Sequence, residues 1–193
     1  MRRERFVRGA TGPVPSPLVS DDVEHVPDEV VAPEGNRRLV RVTFAVAAGV
    51  LLVDQVTKWL AVRLLEGHPP VNVIGTWVQL EFLRNPGAAF SIGTGVTFVF
   101  TAIAIAVAIV IVRTSRRLGS LGWAIALGGL LGGAVGNLLD RIFRDPGFLR
   151  GHVVDFISVP HFAVFNVADS AIVCSAILMV LLSVRGVEIE GRR

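Results

Sequence analysis

The stretch LGSLGWAIALGGLLGGAVGNLLDR, residues 118–141, decides the fold of this chain. Its first 22 residues carry no charge, and a helix of about 20 apolar residues is long enough to cross the hydrocarbon of a bilayer. It also holds five glycines between Gly128 and Gly136. A run of glycines weakens a helix in water, whereas in a membrane it lets neighbouring helices approach closely. The stretch therefore predicts a membrane-spanning helix that packs tightly against others.

Three further apolar blocks, at residues 39–65, 92–112 and 162–184, have a similar length. The chain is 52% hydrophobic with a mean hydropathy of +0.61, and its apolar residues are gathered in blocks, as in membrane proteins. Residues 72–82 partly alternate between apolar and polar side chains, which predicts one or two short strands. The predicted fold class is an all-α membrane protein with four transmembrane helices and a small extramembrane β element between helices one and two.

The flanks of these blocks predict the domain boundaries. Residues 1–36 contain five prolines among charged residues, which predicts a disordered cytoplasmic tail. Residues 37–187 form the four-helix transmembrane domain, and residues 188–193 a short cytoplasmic tail.

Arginines account for 18 of the 19 basic residues, and most of them flank the apolar blocks. They cluster before block one, between blocks two and three, and after block four, so the positive-inside rule places both termini in the cytoplasm. The flanking clusters are Arg37, Arg38 and Arg41; Arg113, Arg116 and Arg117; and Arg185, Arg192 and Arg193. This placement suits membrane orientation and argues against a nucleic-acid partner.

The unusual polar residues converge at the outer face of the predicted bundle. Placing a carboxylate deep in a bilayer costs about 2.5–3.5 kcal/mol, so a cluster of them indicates function. Asp54 and Lys58 are four residues apart and predict an ion pair that orients helix one. Asp140 is interpreted as a cap of helix three. The cluster comprises Asp54, Lys58, Asn85, Asn137, Asp140, Arg141, Asp155, Asn166 and Asp169.

Two of these carboxylates, Asp155 and Asp169, have the chemistry that acid–base peptide hydrolysis requires. Held close together they cannot both ionise, so one keeps a proton. The ionised group takes a proton from the attacking water, and the protonated group donates to the scissile carbonyl. Asp155 can approach Asp169 only if residues 157–161 fold back across the bundle mouth, which Pro160 favours by breaking any helix. Counted from Phe162, Asp169 is expected about 10 Å along helix four.

Five motifs occur in order along these predicted helices: DQVTK at residues 54–58, NPGAAF at 85–90, GGAVGNLLDR at 132–141, VVDF at 153–156 and FNVAD at 165–169. Together they resemble the five signature boxes of the bacterial lipoprotein signal peptidases (signal peptidase II). The resemblance spans about residues 39–185. The resemblance implies that the domain at residues 37–187 is a transmembrane peptidase domain.

The resemblance implies an aspartic endopeptidase of the inner membrane, with its active site toward the outer face. Its substrates would be diacylglyceryl-modified prolipoproteins, cleaved just before the lipidated cysteine, and globomycin-type cyclic peptides would inhibit it. By the motif match, Asp155 and Asp169 are the catalytic pair. The supporting or substrate-binding positions are Asp54, Lys58, Asn85, Gly87, Asn137, Asp140, Arg141 and Asn166. Membrane lipids are the other expected partners, and no cofactor is implied.

Two rival functions stay open on the residues alone. A Ser–Lys peptidase would use Lys58 as base with Ser91 as nucleophile. A small proton-coupled transporter would need carboxylates staggered across the membrane, whereas here the inner half is apolar. The four histidines show no ligand spacing, so no metal site is predicted.

Overall fold

The computed structural model describes residues 34–87 and 96–190, which hold four helices and a three-stranded sheet. Residues 1–33, 88–95 and 191–193 lie outside this description, and with them all but the last three residues of the predicted disordered tail, the end of the NPGAAF motif and Ser91. The elements in chain order are α1 (Glu34–Leu64), β1 (Val71–Ile74), β2 (Val78–Asn85), α2 (Val96–Ser115), α3 (Leu121–Phe143), β3 (Val153–Ser158) and α4 (Val167–Val184).

Among the described residues, three helices are long and apolar enough to cross a membrane, at Arg37–Leu64, Leu121–Phe143 and Val167–Val184. A shorter apolar helix covers Thr101–Ser115 within α2. The described part of the chain is therefore a mostly helical membrane protein with a small sheet. This confirms the predicted membrane class and the predicted presence of both helices and strands.

Helix α3 is the centre of the bundle. In its most apolar stretch 61% of the residues are buried, against 17% in α1 and 11% in α4. Its glycines explain this position. A Cβ atom added at Gly132 would lie 2.6 Å from the carbonyl oxygen of Ala47 on α1, and one added at Gly133 would lie 2.5 Å from that of Ala168 on α4. Two sides of α3 thus contact neighbouring backbones directly, as expected of small-residue helix contacts in membranes.

The sheet has the antiparallel order β1-β2-β3, and its third strand comes from the loop between α3 and α4. The expectation of a β element confined to the loop between helices one and two was therefore incomplete. Strand β3 pairs Asp155 with Leu83 of β2. After β3 the chain turns back, and Phe165 pairs with Ile157. This is the fold-back that brings Asp155 toward α4.

Three predicted boundaries differ from the structure. Helix α4 begins at Val167 rather than at residue 162, so Asp169 lies in its first turn and not 10 Å along it. Helix α1 begins at Glu34, inside the predicted tail. Near the other end, the carbonyl of Ile189 accepts a hydrogen bond of 2.9 Å from Gly119, so the described part of the predicted C-terminal tail is held against the bundle.

The close helix contacts predict the effect of adding one methyl group at Gly132. Gly132→Ala should lower the free energy of unfolding by about 1–3 kcal/mol, because α1 and α3 must move apart. Gly49→Ala on α1 is the matched control, since no atom lies within 4 Å of the added Cβ there. The control should leave the Tm in detergent unchanged or higher, as alanine is the better helix former. Equal Tm values for both variants would contradict this packing.

Candidate active site

The first turn of α4 is the point around which the site is built. Asn166 is the N-cap residue, and its side-chain oxygen accepts a hydrogen bond of 2.9 Å from the backbone N–H of Asp169. The Asp169 carboxylate accepts one of 3.3 Å from the backbone N–H of Asn166. This capping box satisfies two of the N–H groups that a helix start leaves without partners. It also leaves Asp169 Oδ1 to accept a hydrogen bond from α3, and the amide nitrogen of Asn166 to donate to α3 and β3.

A buried ammonium group lies beside this turn. The side chain of Lys58 is fully buried, and its Nζ lies 2.9 Å from Asp54 Oδ2 and 2.9 Å from Asp140 Oδ2. Nζ also donates a hydrogen bond of 2.8 Å to Asn137 Oδ1. The predicted ion pair between Asp54 and Lys58 is confirmed, and it is part of a larger cluster.

Each carboxylate of this cluster also binds the backbone of another element. Asp54 Oδ1 accepts a hydrogen bond of 2.9 Å from the N–H of Ala168 in the first turn of α4. Asp140 Oδ2 accepts a hydrogen bond of 3.2 Å from the N–H of Val154 in β3. Asp140 Oδ1 accepts a hydrogen bond of 2.6 Å from Arg144 Nε. The interpretation of Asp140 as a simple cap of α3 was wrong, because its carboxylate joins α3 to α1 and β3.

Two asparagine side chains connect this cluster to Asp155 and Asp169. Asn137 donates from Nδ2 to Asp169 Oδ1 at 2.8 Å. Asn166 donates from Nδ2 to Asp155 Oδ1 at 2.6 Å and to Asn137 Oδ1 at 3.2 Å. The two carboxyl groups are therefore held by neighbouring amides, which fixes both side chains at the same place in the bundle.

Asp155 receives a further amide from the end of β2. Asn85 donates a hydrogen bond of 2.8 Å from Nδ2 to Asp155 Oδ2. The side-chain oxygen of Asn85 accepts a hydrogen bond of 2.8 Å from the N–H of Gly87. Gly87 has a φ of +94°, a conformation that favours glycine. Gly87 thus orients Asn85 and acts on Asp155 through it.

Burial of the Asp155 carboxyl and, to a smaller extent, the nearby charge of Asp169 raise its pKa to about 6. Hydrogen bonds from Asn85 and Asn166, and the charge of Lys58, act in the opposite direction. Desolvation prevails because a charged group loses more hydration than neutral amide donors restore. Asp155 therefore holds a proton up to a higher pH than an ordinary aspartate.

The structure brings nine of the ten predicted site residues to one end of the bundle, and Gly87 acts through Asn85. The guanidinium of Arg141 interacts electrostatically with Asp155, Asp169 and Asp140. Two contributors were missed. Gln55 donates to Asp54 Oδ2 and to the carbonyl of Gly136, both at 3.1 Å; it lies inside the first motif. Arg144 follows Asp140 by four residues, a helical spacing that could have identified it.

No group of three or more His, Cys, Asp or Glu residues in the described part of the chain is arranged to hold a metal ion. The reacting groups available are the carboxyls of buried Asp155 and half-buried Asp169, amide donors and a guanidinium. Fold and site together are those of a helical membrane protein equipped for acid–base hydrolysis.

Comparison with known proteins identifies the family. A family model described as Signal peptidase (SPase) II matches residues 46–185. The lipoprotein signal peptidase of Streptomyces coelicolor is 54% identical over 162 residues, which cover 83% of this chain and 79% of that protein. That of Mycobacterium tuberculosis is 51% identical over 179 residues, covering 92% and 88%. A solved bacterial membrane enzyme superimposes with a TM-score of 0.65 at 31% identity, covering 73% of this chain and 91% of that one.

The chain therefore belongs to the signal peptidase II family, and it is a protease.

The buried cluster predicts a large effect of removing its cation. Lys58→Met should lower the free energy of unfolding by about 3–5 kcal/mol, because it leaves the buried carboxylate of Asp54 without its counter-ion and that of Asp140 with Arg144 alone. Arg63→Met is the control on the same helix, since Arg63 is exposed and lies over the Trp59 ring. Urea unfolding in detergent measures both variants. A Lys58→Met protein as stable as the control would contradict the structural role of the cluster.

Proposed function

We propose that this protease removes the signal peptides of diacylglyceryl-modified prolipoproteins, cleaving before the lipidated cysteine, with Asp155 and Asp169 as its catalytic pair. The observation that carries the proposal is the pair itself: two carboxyl groups at the same end of a membrane bundle that accept hydrogen bonds from amide side chains. The names of its relatives supply the substrate class.

The two carboxyls differ in ways that suit different steps. Asp169 lies in the first turn of α4, where the helix dipole favours a negative charge. In the proposed reaction it takes a proton from the attacking water. Asp155, with its raised pKa, donates its proton to the carbonyl oxygen as the carbon–oxygen bond to water forms.

The tetrahedral intermediate then collapses with the proton movements reversed. Asp169 passes its proton to the nitrogen of the lipidated cysteine, and the carbon–nitrogen bond breaks. Asp155 recovers a proton from a hydroxyl of the intermediate as the carboxylic acid product forms. The pair ends with one proton, as it began. Arg141, which interacts with both carboxyls, would stabilise the negative charge that develops on the carbonyl oxygen in the transition state, before the proton transfer from Asp155 is complete.

We further propose that α2 is a fourth membrane span. Its residues 96–112 are uncharged, and Arg113 begins a basic segment at its end. Four spans with the flanking arginines inside place both termini in the cytoplasm and the carboxyl pair toward the outer face of the bacterial inner membrane. A lipid-anchored cleavage site would lie at that level. Globomycin-type peptides are proposed ligands of the same site.

A Ser–Lys mechanism is less well supported. Its lysine must be neutral to act as a base, whereas Lys58 bonds to two buried carboxylates. That ammonium group is the shared counter-ion of Asp54 and Asp140.

The proposal predicts that Asp155→Asn and Asp169→Asn each abolish cleavage of a diacylglyceryl prolipoprotein in detergent, with a loss of at least about a thousandfold in turnover. An amide cannot move the required proton, while substrate binding and the Tm should persist. Asp145→Asn is the control, because Asp145 is an exposed residue of the α3–β3 loop, and it should cleave like the wild type. Wild-type turnover by either pair variant would refute the assignment.

A further inference from the structure

A second feature lies at the opposite end of the bundle from the carboxyl pair. A pocket of about 560 Å³ opens between the end of α2 and the segment that follows α4. Its volume falls within the roughly 300–1,000 Å³ of small-molecule sites. It is lined by Arg113, Thr114, Arg116, Arg117, Ile189 and Glu190. Three guanidinium groups therefore face one carboxylate, and the pocket is basic.

The basic wall of this pocket follows from the end of α2. Arg116 and Arg117 come three and four residues after Arg113, so one turn brings the three side chains to the same side. The turn continues past the helix, because the N–H of Arg117 donates to the carbonyl of Thr114 at 2.9 Å. The guanidinium group is the side chain best suited to binding a phosphate with two parallel hydrogen bonds.

The opposite wall is held in place by hydrogen bonds. Gly119 donates its N–H to the carbonyl of Ile189 at 2.9 Å. Trp123 donates from Nε1 to the carbonyl of Val187 at 2.7 Å. The segment after α4 is thus tied to the start of α3, which keeps the pocket open beside the arginines.

The pocket continues into an apolar groove. Arg113 and Arg116 also line a hollow of about 400 Å³ whose other walls are Ala108, Ile109 and Val112. These three residues precede the arginines along α2, on the part of the helix that would lie in the hydrocarbon. The two guanidinium groups therefore stand at the junction of a basic pocket and an apolar groove. An amphiphile with a phosphate head and an alkyl chain matches that combination.

We propose that the pocket and groove bind an anionic phospholipid of the cytoplasmic leaflet, with its phosphate at the three arginines and an acyl chain along α2. Basic pockets at the cytoplasmic ends of membrane helices bind such headgroups. Glu190 at the rim disfavours a second negative charge and so favours a headgroup with a single phosphate. The inference rests on the orientation proposed above and is independent of the catalytic assignment.

Native mass spectrometry of the full chain in a neutral detergent tests this site, with dioleoyl phosphatidylglycerol and dioleoyl phosphatidylcholine as the two probes. The wild type should retain one phosphatidylglycerol in preference to phosphatidylcholine. The triple variant Arg113→Gln, Arg116→Gln, Arg117→Gln should bind it roughly a hundredfold more weakly, since each arginine near an anionic lipid contributes about fivefold.

The matched control is Arg37→Gln, Arg38→Gln, Arg41→Gln, which removes three exposed arginines from the same end of the bundle. It should bind phosphatidylglycerol like the wild type. Equal weakening by the two triple variants would overturn the proposal in favour of general attraction to a basic surface. Equal retention of the two lipids would overturn the role of the headgroup.

Two further measurements separate the lipid from other anions and from the enzyme's chemistry. Ile109→Trp, which fills the groove without changing charge, should also weaken retention, whereas soluble glycerophosphoglycerol should not displace the lipid. Displacement by that headgroup, or no effect of Ile109→Trp, would indicate a site for free phosphates and overturn the lipid assignment. The arginine triple variant should still cleave substrate in detergent, and Asp155→Asn should still retain the lipid, so the two proposals fail separately.

Discussion

The ammonium group of Lys58 is the interaction on which the rest of this structure depends. It is fully buried and bonds to Asp54, Asp140 and Asn137. A charge in the low-dielectric interior of a protein is tolerated only when it is paired and fully hydrogen-bonded. The partners extend the constraint, because Asp54 also binds the start of α4 and Asp140 also binds β3. One cation thus fixes α1, α3, α4 and the third strand relative to one another, while the glycines of α3 let the helices come close enough for these bonds to form.

The four carboxyl groups of the site fall into two classes by the groups that they bond to. Asp54 and Asp140 bond to the ammonium group of Lys58. Asp155 and Asp169 bond to the neutral amides of Asn85, Asn137 and Asn166. Amides orient a carboxyl group without fixing its protonation, and burial then raises the pKa of Asp155 toward neutrality. The cation-bound pair joins the elements of the bundle, and in the proposed reaction the amide-bound pair keeps the exchangeable proton that hydrolysis requires. Asn137 belongs to both groups, so it transmits the position of Lys58 to Asp169.

Sequence alone predicted the features that depend on spacing along one helix. The apolar blocks follow from the thickness of the bilayer, and the contact between Asp54 and Lys58 from a separation of four residues. The contact between Lys58 and Asp140 joins residues far apart in the chain, so no local rule indicates it. Strand β3 was missed because VVDFIS is short and becomes a strand only by pairing with β2. The start of α4 was misplaced because hydropathy extends through residues 162–166, whereas the capping box of Asn166 and Asp169 begins the helix later.

The pH dependence of kcat/KM tests the central claim most directly, since it reports the protonation of the free enzyme. The pair must hold one proton, so activity should fall as pH rises through an apparent pKa of about 6, and fall again in acid when both groups are protonated. The hydrogen bond from Asn85 lowers the pKa of Asp155, so Asn85→Ala should move the alkaline limb to higher pH. A profile that is flat between about pH 5 and 8, or an alkaline limb that moves to lower pH in Asn85→Ala, would contradict the account.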